Sequence, residues 1–201
     1  RDLRMSRGLG DVYKRQGKKL WGAEKPALYR LTLFVRKEDR ILEYVPVNVG
    51  FGTVSHAEGK VYRNGKPVEL RPARCDATTP AALRREIAAL KKEGFNTLWP
   101  DTPQPWWFYD ICDRTGMYVI DQANINTSYE TGNRRIGGCL SNDPAWLPEY
   151  MERTQAMFRR SHTHPCIVAW SLGGQSGNGF NLYRTYLWLR TADPNRPILY
   201  D

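Results

Sequence analysis

The stretch Cys166-Ile-Val-Ala-Trp-Ser-Leu-Gly-Gly-Gln-Ser-Gly-Asn-Gly179 decides how the rest of the chain is read. Cys166 to Trp170 is an unbroken apolar run directly after His164-Pro165. A short apolar run bounded by Pro on one side and Gly on the other predicts a strand buried on both faces, the kind that parallel sheets contain. The run then breaks into small polar residues, Ser171 to Gly177, which are suited to holding functional groups at the strand's C-terminal end or to making a plain flexible turn.

Outward from this strand the pattern alternates. Upstream, Asp143-Pro144 opens a long amphipathic helix predicted over 145 to 161, since Asp caps and Pro fits the first helical turn. Before it, Asn124 to Pro144 reads as a loop rich in Gly and Asn, and Met117 to Asp121 as a strand. Trp106 to Thr115 is predicted helical with Gly116 as its stop, and Phe95 to Trp99 as the strand before that. Thr79-Pro80 caps a helix that runs to Glu93, with Leu83, Ile87 and Leu90 on one face and Gly94 at its end. Downstream, Asn181 to Thr191 looks helical and Arg196 to Tyr200 reads as one more strand. Alternation at this pitch implies βαβ crossovers and a parallel sheet. Pattern alone leaves an open doubly wound sheet and a closed barrel equally available.

The N-terminal third is of another kind. Ala27 to Val35 and Ile41 to Val49 alternate apolar with polar residues about the charged turn Arg36 to Arg40, which predicts two antiparallel strands of a sandwich. Pro46 places an edge or a bulge in the second. Val61-Tyr-Arg-Asn-Gly-Lys-Pro-Val68 carries an Asn-Gly pair between short apolar runs, a type I′ hairpin signal. Arg1 to Gln16 has neither apolar period nor turn logic; it resembles the translated read-through of a sequencing adapter, with a basic tail as the plain alternative.

Composition is that of an ordinary globular chain: 201 residues, 41% hydrophobic and 25% charged. No run of about 18 apolar residues exists, so no membrane-spanning helix is expected. The net charge of +9 invites a nucleic-acid reading, but residues 1–16 carry +3 of it and the rest is interspersed with Asp and Glu on helical faces. Solvated surface explains it better than a binding groove, so no nucleic-acid partner is expected. Cys75, Cys112, Cys139 and Cys166 show neither zinc-ligand spacing nor a disulfide framework, and Cys112 and Cys166 read as buried thiols.

Ala169-Trp-Ser-Leu-Gly-Gly-Gln-Ser-Gly-Asn-Gly179 resembles the W-S-L-G-N-E-S-G-x-G signature of glycoside hydrolase family 2, the β-galactosidase type. Further matches lie along the chain. Leu20-Trp-Gly-Ala-Glu-Lys-Pro-Ala-Leu-Tyr29 and Val49-Gly-Phe51 resemble the end of the family's immunoglobulin-like domain. Val61 to Val68 resembles the L-N-G-K-P-V entry to its barrel, and Leu70-Arg-Pro-Ala-Arg-Cys-Asp76 its L-R-G-V-N-R-H-[DE]. The resemblance covers residues 17 to 201 and implies an α/β fold: about four βα units and a fifth strand of a (β/α)8 TIM barrel, preceded by the last strands of a sandwich. It divides the chain into a non-native tail (1–16), sandwich strands (17–56) and the first half of a barrel (57–201), with the remainder of the polypeptide as a partner.

The resemblance implies retaining hydrolysis of β-galactosides or related β-glycosides, chemistry that needs a nucleophile and an acid/base carboxyl about 5–5.5 Å apart. The family's nucleophile lies beyond Asp201. Its acid/base Glu is replaced by Gln175, whose amide has no usable proton, and its Asn by Gly174. Asp121-Gln-Ala-Asn-Ile-Asn-Thr-Ser128 resembles D-E-A-N-I-E-T-H, with Gln122, Asn126 and Ser128 replacing Glu, Glu and His. In the family the second Glu, the His and the acid/base Glu hold magnesium; Asn126, Ser128 and Gln175 offer no anionic oxygen, so no metal or other cofactor is expected. Arg71, Asp76, Asp101, Trp99, Trp106, Asn124 and Gly174 are the candidate carbohydrate-contacting positions, the tryptophans as flat faces for a sugar or as packing under the next helix. Three readings stand beside an impaired glycosidase: a non-catalytic carbohydrate-binding relative, a hydrolase of altered chemistry (substrate-assisted, or with Asp101 as its acid), and, from another class, a basic nucleic-acid-binding α/β domain that no module motif supports. Bacterial cytoplasm and periplasm both suit such a protein.

Overall fold

The computed structural model describes residues 19–200; the adapter-like segment lies outside them. Strands β1 (Tyr29–Lys37) and β2 (Arg40–Val49) pair antiparallel with a bulge at Val35/Arg36. Period-2 alternation puts Leu31, Leu33 and Val35 on the same face as their cross-strand neighbours Val47, Val45 and Glu43, and that face is largely exposed. A second antiparallel sheet holds β3 (Val54–Ala57), β4 (Lys60–Arg63) and β5 (Lys66–Val68). The Asn64-Gly65 turn between β4 and β5 has φ of 52° and 76°, the left-handed pair a type I′ turn requires. Glu58-Gly59 makes the β3–β4 turn in the same way, with φ of 50° and 73°.

The third sheet positions everything at the site. Its strands are β6 (Pro72–Ala73), β7 (Thr97–Leu98), β8 (Tyr118–Gln122), β9 (Ile167–Ser171) and β10 (Ile198–Leu199), all parallel and in sequence order. A doubly wound sheet reverses its strand order at a switch point. Here each new strand joins the same edge, so right-handed crossovers place every helix on one face and leave the other as the inner wall of a barrel arc. The helices are α1 (Pro80–Lys92), α2 (Trp106–Thr115), α3 (Leu147–Ser161) and α4 (Phe180–Ala192). Four βα units and a fifth strand are therefore present.

Local chemistry explains the element ends. Thr79 accepts a hydrogen bond from Ala82 N at 3.2 Å and Pro80 opens α1. Gly116 closes α2 at φ 68°, and a Cβ there would lie 2.1 Å from the Ala23 carbonyl oxygen, so turn and packing both demand glycine. The third helix starts later than its sequence predicts: Asp143 caps Ala145 N at 3.0 Å, but Pro144–Trp146 is a 3-10 turn and α3 begins at Leu147. The Phe95–Trp99 segment is also shorter as a strand than predicted. The Asn96 side chain takes over the lower rungs, accepting from Arg71 N at 2.8 Å and donating to the Glu69 carbonyl at 2.8 Å.

Both β8 and β9 are buried along their whole length. Behind them the core runs through Leu83, Ile87, Phe108, Ile111, Cys112, Met157, Val168 and Trp170. Trp21 fastens the segment before β1 to the base of this core. It is fully buried, meets Tyr118 edge-on at 5.8 Å and donates Nε1 to the Asp113 carbonyl at 2.8 Å. All four cysteines are free thiols, and three of them, Cys112 and Cys166 included, are buried.

Candidate active site

The C-terminal ends of the five parallel strands form the mouth where barrel chemistry is built. The pleat decides what reaches it. Asp121 and Gln122 are adjacent, so they face opposite sides of β8. Asp121 points at the helices: its carboxylate accepts from Tyr109 Oη at 2.8 Å, from Arg160 Nη2 at 3.0 Å and from Ser161 Oγ. Burial raises its pKa above the usual carboxylate value, although Arg160 and the hydroxyls pull the other way. It is a fully buried scaffold group, behind the wall of the site.

Gln122 faces inward and is the hub of the mouth. Its Oε1 accepts from Trp99 Nε1 at 2.9 Å and from Ser171 Oγ at 3.0 Å, and its Nε2 donates to the Asp101 carbonyl at 3.0 Å. This one amide ties together the ends of β7, β8 and β9. Three of its four hydrogen-bonding capacities are used, leaving one N–H. Gly174 sits beside it: a Cβ added there would meet only Gln122 Nε2, at 3.5 Å. Gly173 has no such freedom, with φ 135° and a would-be Cβ 2.5 Å from the Ile125 carbonyl oxygen.

The β9–α4 and β8–α3 loops meet across the mouth. Asn126 and Gly174 form a parallel bridge, and Gly174 N donates to the Ile125 carbonyl at 3.0 Å. Ser176 Oγ accepts from Thr127 N at 2.9 Å, and the Ser176 carbonyl accepts from Tyr200 Oη at the end of β10. Gln175 lies between these ties, exposed and with φ 50°. Asn124, Asn126 and Ser128 are likewise exposed on the β8–α3 loop. Asp101 is exposed at the end of β7 with its carboxylate bonded to Arg74, and Arg74 also reaches the Trp99 carbonyl at 3.3 Å. Asp76 is on the β6–α1 loop, and Trp106 opens α2 with 75% of its surface exposed.

The structure thus brings Trp99, Asp101, Gly174 and Gln175 to one end of the arc with Gln122, which is absent from the carbohydrate-contacting set read from the sequence. Arg71 is the exception. It precedes β6, so it lies at the opposite, N-terminal end, bonded to Glu69 at 3.3 Å. Motif adjacency to Arg74 and Asp76 suggested the mouth; the strand between them separates the two ends. A cavity of about 730 Å³ also lies away from the mouth, lined by Val61, Val68, Leu70, Ala169 and Leu199 between the three-stranded sheet and the inner wall. Its apolar lining has the character of a core, not of a reaction site.

The family described as glycosyl hydrolases family 2, TIM barrel domain, matches residues 69–201. The chain belongs to glycosyl hydrolase family 2. Beta-galactosidase 2 of Enterobacter cloacae is 39% identical over 195 residues, and a beta-galactosidase of Pectobacterium atrosepticum is 39% identical over 196 residues. Each alignment takes in 90% of this chain but only 18% of the relative, so the chain spans under a fifth of the length of the curated relatives it matches. Among solved structures, a beta-D-glucuronidase of Dictyoglomus thermophilum superposes with a TM-score of 0.78 at 22% identity, over 91% of this chain and 34% of that one. A beta-galacturonidase of Eisenbergiella tayi, bound to galacturonate, gives 0.75 at 20% identity over 90% and 34%. The family 2 barrel, in partial form, is therefore the fold of this chain, and its β-galactosidase-like character rests on the sequence matches.

Proposed function

We propose that this chain forms the first half of the mouth of a β-galactosidase-like family 2 protein that binds a β-galactoside or related β-glycoside and is impaired in cleaving it. The observation that carries this reading is the amide chemistry of the mouth. Gln175 occupies the acid/base position of the family signature, and the hub behind it is another amide, Gln122, fixed by Trp99 and Ser171. An amide accepts and donates hydrogen bonds to sugar hydroxyls but neither protonates a leaving oxygen nor deprotonates water at ordinary pH. Asp101, the carboxylate at the end of β7, is engaged by the Arg74 guanidinium, not presented to a leaving group.

The family's magnesium fits this donor set poorly. Asn126, Ser128 and Gln175 stand at its three positions and supply two amides and a hydroxyl, whereas a hard divalent cation favours anionic oxygen. No step is routed through a metal here. Substrate binding falls to the remaining Gln122 N–H, to Asn124 and to the exposed ring of Trp106. The test uses the full-length parent. Galactose binding followed by tryptophan fluorescence is expected to persist in Gln175→Ala, while aryl β-galactoside turnover stays low in both proteins. Rapid turnover that Gln175→Ala abolishes would refute the reading.

A further inference from the structure

We propose that a recess at the base of the molecule, far from the mouth, binds a small oxyanion, a phosphate or a carboxylate, through the guanidinium of Arg63. The recess has a volume of about 330 Å³ and is lined by Gly52, Thr53, Ser55, Arg63, Asn195 and Arg196, with Asp193 at its edge. It lies between the entry to β3 and the turn joining α4 to β10.

Arg63 is only 5% exposed. Its Nε donates to the Trp21 carbonyl at 3.2 Å and its Cζ lies 4.7 Å over the Trp21 ring. Among the described residues, Nη1 and Nη2 have no acceptor, and their four N–H donors are open to the recess. Buried charge is costly unless paired. The other charges lining the recess cancel each other. Arg196 is bonded to Asp193 at 2.6 Å, to the Ile167 carbonyl at 3.0 Å and to the His162 carbonyl at 3.3 Å. Asp193 is filled in turn by Arg196 and by Trp170 Nε1 at 2.9 Å. Among the described residues lining the recess, Arg63 is then the cation without a direct ion-pair partner. Burial foremost depresses its pKa, and Arg196 adds to the fall, while Tyr118, Cys166 and Asp113 pull the other way.

The position of the fork is fixed by its neighbours. Gly52 lies so close that a Cβ there would be 2.7 Å from Arg63 Nη2, so the absence of a side chain makes room for the guanidinium. A planar fork held against backbone on one side and an indole on the other is preorganised for two-pronged binding of a carboxylate or phosphate. Thr53 and Ser55, two hydroxyl-bearing residues, are also in the lining. This site is independent of the sugar-binding reading and shares no residue with it.

The full chain is titrated with sodium phosphate and, separately, with sodium acetate at constant ionic strength balanced by chloride, following thermal midpoint and heat of binding. A saturable response to at least one anion is expected, and which anion is stronger identifies the oxyanion type. Arg63→Leu is expected to weaken it at least tenfold, while Arg71→Leu, an exposed arginine paired with Glu69, leaves it unchanged. Because Arg63→Leu also removes the stacking on Trp21, Gly52→Ala serves as a second variant: it retains the charge but displaces Nη2, and weaker binding is expected again. A response to neither anion, or one that survives in Arg63→Leu, overturns the proposal.

Discussion

Removing the Asp121 carboxylate tests how the mouth is held from behind. Asp121→Ala takes the acceptor from Tyr109, Arg160 and Ser161 at once and leaves a small cavity. Breaking a buried ion pair from one side costs about 3–5 kcal/mol. The lower end applies here, since the Arg160 side chain is 27% exposed and water reaches it. For a chain of this size about 3 kcal/mol is a drop of roughly 6–12 °C in Tm. Asp121→Asn is expected to cost less than half as much, because it keeps one acceptor and sheds a charge whose burial already works against it. The pH dependence has a definite sign. Burial raises the folded-state pKa above the ordinary 3.8, so the folded protein holds its proton more tightly than the unfolded chain. The stability Asp121 contributes is full below 3.8 and is lost as pH rises through the raised value, at up to about 1.4 kcal/mol per pH unit. Urea midpoints of the three proteins from pH 3.5 upward give both quantities. An Ala variant within about 0.5 kcal/mol of the parent, or an Asn variant as unstable as Ala, would refute the reasoning.

Other expectations follow from single contacts. Gly116→Ala meets both a left-handed φ and the Ala23 carbonyl and is expected to cost at least about 1–3 kcal/mol by urea denaturation, whereas Gly174→Ala, whose Cβ makes only an ordinary contact with Gln122 Nε2, stays within about 0.5 kcal/mol. Trp99→Phe keeps an aromatic ring but removes the N–H that fixes Gln122; it is expected to cost about 1 kcal/mol and to weaken galactose binding in the full-length parent. The Cys75 thiol is pushed up to about 11 by burial, so its alkylation by iodoacetamide is expected to be slow at pH 8 and to climb about tenfold per pH unit until it levels off near that value.

The elements of this fold were legible in sequence wherever local chemistry specifies them. The caps at Thr79 and Gly116, the Asn64-Gly65 turn and the apolar run into Trp170 all use interactions within a few residues. What local pattern could not decide was arc against open sheet, because strand order is set by which edge each crossover returns to. Strand ends were overestimated where a side chain replaces the ladder, as Asn96 does below β7. At the site, motif spacing points to Gln175 and Gly174 on the β9–α4 loop, and it groups Arg71 with the mouth although β6 carries that residue to the other end. The motif marks Gln122 as a substitution and does not mark it as the hub. The signal was present: of two adjacent polar residues ending a buried strand, one must face inward, and only the pleat's phase shows that it is Gln122.

The most direct measurement is kcat/KM for an aryl β-galactoside in the full-length parent carrying Gln175→Glu, compared with the parent itself. If Gln175 stands at the acid/base position as proposed, placing an ionisable acid there is expected to raise the rate by about 10²–10⁴-fold, the contribution of a positioned general acid/base. An unchanged rate on a parent that is already fast would contradict the account, since the proton would then come from another group.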